Sequence, residues 1–322
     1  MIDIANKHFK NLDYIDLFCG IGGFHLALSS FGAKCVFASD IDSKARAVYK
    51  KNFGITPAGD ITKIKNKEIP PHDILCAGFP CQPFSISGNQ KGFNDPHGKL
   101  FFQIIRIARF HKPKILILEN VKNLKTHNNC DTMTEIRKQL NGIGYDVYDE
   151  VLSASDFGIP QARERLYIVA IKKSLKIKKF IFPVAIGKKI QLSDILYDES
   201  AKYDVRVKRQ FSINKRPLHR KGLIQVARIG RGRQGERIYS PQGYSTTLSS
   251  QSGGLGGKTG MYLIDGIVRK LYPRECARLM GFPDDFIYAQ EISSVYKQFG
   301  NSVVVDVLQY ILIEIANQLK NL

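Results

Sequence analysis

The chain has 322 residues, 43% of them apolar and none of them tryptophan, with 48 Lys+Arg against 29 Asp+Glu for a formal charge of +19. That apolar share builds a sizeable core and excludes a largely disordered chain, while the charge predicts an acidic partner, most simply nucleic acid. The apolar runs are short and the first residues carry Asp3, Lys7, His8 and Lys10, so neither a bilayer-spanning segment nor a secretory signal is expected.

The first half alternates strand-like and helix-like runs. Tyr14–Phe18 reads as a strand, Phe24–Phe31 as a helix, Cys35–Ser39 as a strand, and Lys44–Phe53 as a helix with Ser43 as its cap. Asp73–Ala77 and Lys114–Leu118 are further strands with the helix Leu100–Phe110 between them. The helix Asp131–Leu140 and the strands Tyr145–Leu152 and Leu166–Ile171 follow. Alternation of this kind means βαβ units and a mostly parallel sheet covered on both faces, an α/β fold. The pattern breaks near residue 172. Between 201 and 240 there are twelve Lys/Arg and two Asp/Glu, a net of +10 in an eighth of the chain. That concentration marks a second, basic domain for nucleic acid. At the end, Val303, Val304, Val307, Leu308, Ile311, Leu312, Ile315 and Leu319 keep the spacing of a buried helical face. That helix is expected to pack back on the first domain.

Several strand ends carry chemistry. Asp16-Leu-Phe-Cys-Gly-Ile-Gly-Gly23 ends the first strand and opens a helix, and its glycines allow a ligand close to the backbone. On its own this GxGG is equally a tight β–α turn. Asp40 ends the second strand, about twenty residues on, where a carboxylate can hold ribose hydroxyls. Asp60 follows the next helix. Three carboxylates suit a cationic, phosphate-free cofactor such as S-adenosylmethionine better than a dinucleotide.

Cys81, in Pro80-Cys-Gln-Pro-Phe-Ser85, lies in a loop at the carboxyl end of the third strand, where open α/β sheets bind ligands. The long polar loop after it, to Gly98, has the character of a lid. Cys19, Cys35, Cys76 and Cys276 read as small buried apolar residues. The six cysteines form no CxxC pair, so neither a zinc site nor a disulfide framework is expected. Glu119, in Glu-Asn-Val121, ends the fourth strand and faces the same crevice. Gln161-Ala-Arg163-Glu-Arg165 precedes the next strand and offers two arginines at i, i+2 for a phosphate, a carboxylate or Glu119 itself.

Taken in order, Asp16–Gly23, Pro80–Ser85, Glu119–Val121, Gln161–Arg165 and Gly300-Asn-Ser-Val303 resemble the cytosine-5 DNA methyltransferases of bacterial type II restriction–modification systems, over nearly the whole chain. The resemblance implies the S-adenosylmethionine-dependent methyltransferase (Rossmann-like) fold with a smaller target-recognition domain. The implied division is a catalytic, cofactor-binding domain at 1–190 plus 301–322, target recognition at 191–272, and a hinge at 273–300.

The implied reaction is methyl transfer from S-adenosyl-L-methionine to C5 of a flipped-out cytosine, through a covalent Cys81–C6 adduct, leaving S-adenosyl-L-homocysteine, with no metal. Catalytic roles fall to Cys81, Glu119, Arg163 and Arg165. Cofactor contacts fall to Phe18, Gly20, Gly23, Asp40, Ile41, Asp60, Ile61, Pro80, Leu100, Asn301 and Val303. DNA contacts fall to Ser85, Ser87, Arg228, Arg231, Arg233, Gln234, Arg237, Gln251 and Gly254, with Gln234 filling the gap left by the flipped base.

The partner is double-stranded DNA, the expected target GCGC methylated at its inner cytosine, alongside a cognate restriction endonuclease for the same site. A monomer in the bacterial cytoplasm, on the nucleoid and off the membrane, is expected. Three positions depart from the pattern resembled. Ile41 stands where the family has an aromatic platform for adenine, Arg233 in place of glycine, and Gln251 in place of tyrosine. A tRNA cytosine-5 methyltransferase of the same fold and an inactive DNA-binding regulator are the alternatives.

Overall fold

The computed structural model describes residues 8–80, 100–177, 179–250 and 253–319, with Asn129 by its backbone alone. Cys81, Ser85, Ser87 and Gln251 fall outside the described residues. The chain divides into two compact units, one of Met1–Leu152, Glu164–Pro183 and Val307–Leu322, the other of Ser153–Arg163 and Val184–Asp306.

The first unit is an α/β layer structure. Its strands are β1 (Asp13–Leu17), β2 (Lys34–Ser39), β3 (Ile74–Gly78), β4 (Ile115–Val121), β5 (Tyr145–Ser153) and β6 (Glu164–Lys172), in the sheet order β2-β1-β3-β4-β6-β5. β1 runs parallel to β2 and β3, and β3 runs parallel to β4. β6 returns antiparallel to β4. The helices are α1 (Gly23–Ser29), α2 (Ser43–Phe53), α3 (Phe101–His111) and α4 (Asp131–Gly142). One face of the sheet, with Ile15, Leu17, Leu75, Leu116 and Leu118, packs on Ile104, Ile107, Ile136 and Leu140. β3 and β4 are apolar on successive residues, as strands covered on both faces are.

Most boundaries differ from the sequence reading by one or two residues, and at three of them the local reason is plain. Phe18 has φ +56°, in the left-handed region, so β1 stops at Leu17. The cap of α2 is Asp42 rather than Ser43, its carboxylate accepting from the amides of Lys44 and Ala45. The Asp40 carboxylate takes the Asp42 amide at 2.7 Å, and Asp42 sits in the extended conformation that a cap requires. Arg165 lies inside β6, because Glu164 and Arg165 extend the strand as far as the partner Val121.

The second unit carries the sheet β11-β10-β9-β8-β7, built from β7 (Ser212–Arg220), β8 (Leu223–Arg228), β9 (Arg237–Tyr239), β10 (Met261–Ile264) and β11 (Ile267–Arg269). Ala227, Ile238, Met261 and Val268 form its small core. Helices α5 (Pro273–Arg278) and α6 (Ile292–Asn301) follow, and α7 (Val305–Gln318) runs from the end of this unit into the first. Val307, Leu308, Ile311, Leu312, Ile315 and Leu319 are all buried. Gln309 Nε2 donates to Ser30 Oγ at 2.9 Å and Gln318 Nε2 to the Ile181 carbonyl at 2.8 Å. The stretch Ile292–Gln318 is long and apolar enough to cross a membrane, but 72% of its apolar window is buried inside the protein, as in a core helix.

On the other face of the β1–β2 edge, His25 stacks on Phe53 with ring centroids 3.9 Å apart, its Nδ1 2.8 Å from the Tyr49 hydroxyl. Burial lowers its pKa to about 4. The unfolded chain, with the ordinary value near 6.5, then binds more protons than the native one between those two values, so this residue withdraws stability as pH falls through that window. His25→Gln is expected to lose about 2 kcal/mol less than the parent protein when urea denaturation is moved from about pH 7 to pH 5. The buried carboxyls Asp16 and Asp40, whose values are raised, act in the opposite direction and cancel in that difference.

Candidate functional site

Four of the candidate positions meet where β1 and β2 end. Asp16, on β1, is fully buried, and neither of its carboxylate oxygens has a hydrogen-bond partner among the described residues. Burial first, and repulsion from Asp40 second, push its carboxyl well above the ordinary value. Gly20 has φ +53°, and a Cβ there would meet nothing within 4 Å, so the turn faces open space. Its amide donates to the Asp40 carboxylate at 2.8 Å. Burial raises the Asp40 carboxyl, while the amide hydrogen bonds from Asp42 and Gly20 oppose that. A carboxylate has about four acceptor sites, so Asp40 keeps capacity for hydroxyl donors.

Alongside, Asp40 N donates to the Ala58 carbonyl at 3.0 Å, which brings the segment leading to Asp60 parallel to the end of β2. Asp60 accepts from Thr62 Oγ1 and Thr62 N, and these bonds hold its carboxyl below the ordinary value. Arg46 Nη1 donates to the carbonyls of Asp40 at 2.8 Å and Ile41 at 3.3 Å, bracing the turn. The Ile41 side chain is 75% exposed and Ile61 is buried. Leu100 sits at the cap of α3, whose Arg106 Nη2 donates to the Ile61 carbonyl at 3.2 Å.

This donor set fits S-adenosylmethionine. A glycine turn that faces open space donates to one carboxylate, and the buried Asp16 carboxyl has no hydrogen-bond partner among the described residues.

A second group lies at the ends of β3, β4 and β6. Glu119 pairs in register with Gly78 on one side and with Tyr167 on the other, and Val121 pairs with Arg165. Glu119 is 8% exposed, and its Oε1 lies 3.2 Å from Arg165 Nε. Asn120 Nδ2 donates to the Phe79 carbonyl at 3.1 Å. That bond fixes the chain leading into Pro80, with Cys81 as the next residue in sequence.

Arg163 takes a different course from Arg165. It is 2% exposed, and its guanidinium donates to the carbonyls of Leu248 at 3.0 Å, Gly300 at 3.2 Å and Ser302 at 2.7 Å. Gln161, fully buried, donates to the Leu279 carbonyl at 2.8 Å and accepts from Leu248 N at 3.0 Å. Thr247 Oγ1 donates to the Ala162 carbonyl. These bonds, all within the second unit, join the 161–163 segment to Thr247 and Leu248 and to the turn bearing Asn301 and Val303. The positioning roles of Gln161, Thr247 and Leu248 were missed in the sequence. The alternation Gln161, Arg163 was the available signal for two side chains on one side of an extended segment.

The recognition candidates cluster in the same unit. Arg228, Arg231, Arg233 and Gln234 are exposed, and Arg237 is half-buried with its Nε donating to the Gly232 carbonyl at 3.3 Å. Gln234 opens a short 3-10 turn that Glu236 fastens by accepting from Arg233 N at 2.8 Å. Gly256 N donates to the Gly235 carbonyl at 2.9 Å, so this turn and the loop bearing Gly254 are joined backbone to backbone.

A Cβ at Gly300 would lie 2.5 Å from the carbonyl carbon of Ser249 and from the nitrogen of Ser250, both backbone atoms that cannot swing aside. Gly300→Ala is expected to destabilise the protein severalfold more than Gly20→Ala, which carries about 1 kcal/mol of left-handed strain and no clash. Chemical denaturation of the two variants in parallel tests this, and equal losses would contradict the packing described.

A model of the family described as C-5 cytosine-specific DNA methylase matches residues 12–317 of this chain. The type II methyltransferase M.HhaI of Haemophilus parahaemolyticus is 47% identical over 322 residues, covering 99% of this chain and 98% of that protein. M.HaeII of Haemophilus aegyptius is 43% identical, covering 96% and 94%. Among solved structures, the S. pombe Dnmt2 methyltransferase aligns with a TM-score of 0.72 over 97% of this chain and 100% of that one, at 23% identity, a likeness of fold. The chain therefore belongs to the C-5 cytosine-specific DNA methylase family, as a DNA (cytosine-5) methyltransferase related to the type II modification enzymes.

Proposed function

We propose that this enzyme methylates C5 of one cytosine in a short duplex sequence, GCGC at its inner cytosine, through a covalent adduct between Cys81 and C6. The observation that carries the reading is the pair of buried Glu119 and half-buried Arg165 at the ends of β4 and β6, beside the chain that leads into Pro80 and Cys81. C5 of cytosine is a weak nucleophile. Addition of the Cys81 thiolate to C6 breaks the 5,6 π bond and places that electron pair on C5. Glu119 in its protonated form donates to N3 and accepts from the exocyclic amine, offsetting the negative charge that builds in the ring, and Arg165 donates to the glutamate and to the base carbonyl. S-adenosyl-L-methionine, when bound, supplies the methyl group as a sulfonium electrophile and leaves as S-adenosyl-L-homocysteine. Loss of the C5 proton to a base then re-forms the double bond and expels the Cys81 thiolate. A stacked base cannot be reached from both sides in this way, so the target leaves the helix.

In the same reading Phe18, Gly20, Gly23, Asp40, Ile41, Asp60, Ile61, Pro80, Leu100, Asn301 and Val303 hold the cofactor. Arg163 acts as a positioning residue that fixes the Asn301 turn. Residues 191–272 read the DNA, with Arg228, Arg231, Arg233, Arg237 and Gly254 at base edges or phosphates and Gln234 in the gap left by the flipped base. Ser85, Ser87 and Gln251 join them. The division into 1–190 plus 301–322, 191–272 and a hinge at 273–300, the monomeric state, the cytoplasmic place and a cognate endonuclease belong to the same proposal, supported by the type II relatives.

The test is a GCGC duplex carrying 5-fluorocytosine at the inner position, incubated with enzyme and cofactor. Fluorine blocks proton loss, so a denaturation-resistant protein–DNA adduct is expected, heavier by one methyl group, with the linkage mapping to Cys81 and absent from Cys81→Ala. An adduct on another residue, or methyl transfer with no adduct, contradicts the mechanism. An adduct on tRNA alone contradicts the substrate.

A further inference from the structure

Within the β7–β8 hairpin only Arg228, the last residue of β8, is among the groups assigned above, and β7 and the tip are used by none of them. β7 is the edge of its sheet and is exposed along nearly its whole length, unlike β8, which it pairs with antiparallel. Its pairing breaks between Ile213 and Leu218, so Lys215 and Arg216 project from a bulge. Beyond the bulge, His219 and Arg220 point to opposite faces of the strand. The hairpin closes through Lys221 at φ +49° and Gly222 at φ +78°, a two-residue primed turn. The Gly222 carbonyl accepts from Tyr244 N at 2.8 Å, and a Cβ on Gly222 would strike the Tyr244 ring. The tip is therefore tied down.

Charge sets this hairpin apart. From Val205 through Gly235 there are ten Lys/Arg and no Asp or Glu. Lys208, Arg209, Lys215, Arg216, Arg220 and Lys221 are all exposed. Protection of an open strand edge explains some of this, since Lys and Pro at an edge discourage strand pairing, and Pro217 is here too. Edge protection needs only a few charges or a Pro along the strand, however, and does not require a run free of acids. A run of one sign along a rigid ribbon matches a polyanion of regular spacing.

The geometry also gives a direction. Arg228, at the end of β8, leads into the recognition turn of Arg231–Arg237, while the hairpin tip lies at the other end of β8. Six residues at roughly 3.3 Å each separate them by about 20 Å, or about six base-pair steps.

We infer that β7 is a phosphate-tracking arm, which touches the backbone of duplex DNA outside the target sequence and supplies sequence-independent affinity. The inference rests on the DNA reading above. The arm reads no base, so the sequence chosen is unaffected, but affinity on long DNA and its salt dependence both increase.

The experiment uses the full-length enzyme with Lys215, Arg216 and Arg220 changed together to Gln, and in a second variant to Glu. Binding is measured against salt on a duplex of about 30 base pairs with one central target and on one of about 12. On the long duplex the Gln variant is expected to bind at least tenfold more weakly. Its slope of log affinity on log salt is expected to be shallower by about 3, at about 0.9 for each phosphate that is no longer neutralised. The Glu variant, whose edge stays charged, is expected to bind more weakly still. On the short duplex, and for S-adenosylhomocysteine, both variants are expected to match the parent. Parent-like slopes on the long duplex overturn the inference, as does aggregation of the Gln variant combined with parent-like DNA binding by the Glu variant, which assigns the charges to edge protection. A parent enzyme that binds neither duplex overturns the DNA reading itself.

Discussion

The antiparallel return of β6 beside β4 is the constraint on which the candidate site depends. In an otherwise parallel run, a sixth strand entering in the usual sense would bring its far end, near Lys172, to the carboxyl edge of the sheet. Because β6 runs the other way, its first residues arrive there instead, and Arg165 comes opposite Val121, within 3.2 Å of Glu119. A largely buried ion pair is costly to assemble and weak as a source of stability, since desolvation offsets much of the Coulombic gain. Breaking it by removing one partner costs far more than forming it gains. Its value here is positional: a carboxylate held at a strand end with its orientation fixed from one side.

The same short segment serves two purposes by alternation. Gln161 and Arg163 direct their donors to backbone carbonyls and Arg165 to a carboxylate. A buried guanidinium satisfied by carbonyls stabilises the loops that supply them, because each carbonyl would otherwise be buried without a donor. The turn carrying Asn301 and the backbone at Leu248 are thus fixed by one side chain. Asp16 is the counter-example within the first unit: a buried carboxyl with no partner among the described residues, near the end of the strand that leads into the glycine turn. Native structures leave such groups unpaired mostly where function asks for them.

Much of this was legible in the sequence because strands buried on both faces read as continuous apolar runs, and glycines and carboxylates at strand ends mark ligand crevices. The six strands of the larger sheet and the carboxylates Asp16, Asp40 and Glu119 were located on that basis. The direction of β6 was not legible, since periodicity is blind to strand polarity. Nor was the cap of α2, where adjacent Asp42 and Ser43 are both good caps and a hydrogen bond from the Asp42 amide to Asp40 decides between them. The sequence pairs Arg163 with Arg165 as two arginines for a phosphate, a carboxylate or Glu119, and does not reveal the carbonyl partners of Arg163. Its carbonyl partners lie 85 to 139 residues away, at a separation no local pattern encodes. The edge position of β7 likewise emerges only from the order of strands in the smaller sheet.

The central claim is cytosine C5 methylation of duplex DNA at one short sequence, and bisulfite sequencing tests it most directly. An unmethylated plasmid is incubated with the enzyme and S-adenosylmethionine, converted and read through. The account predicts protected cytosines confined to the inner position of GCGC on both strands. Protection at every cytosine without sequence preference, or at none while the enzyme methylates tRNA under the same conditions, would contradict it.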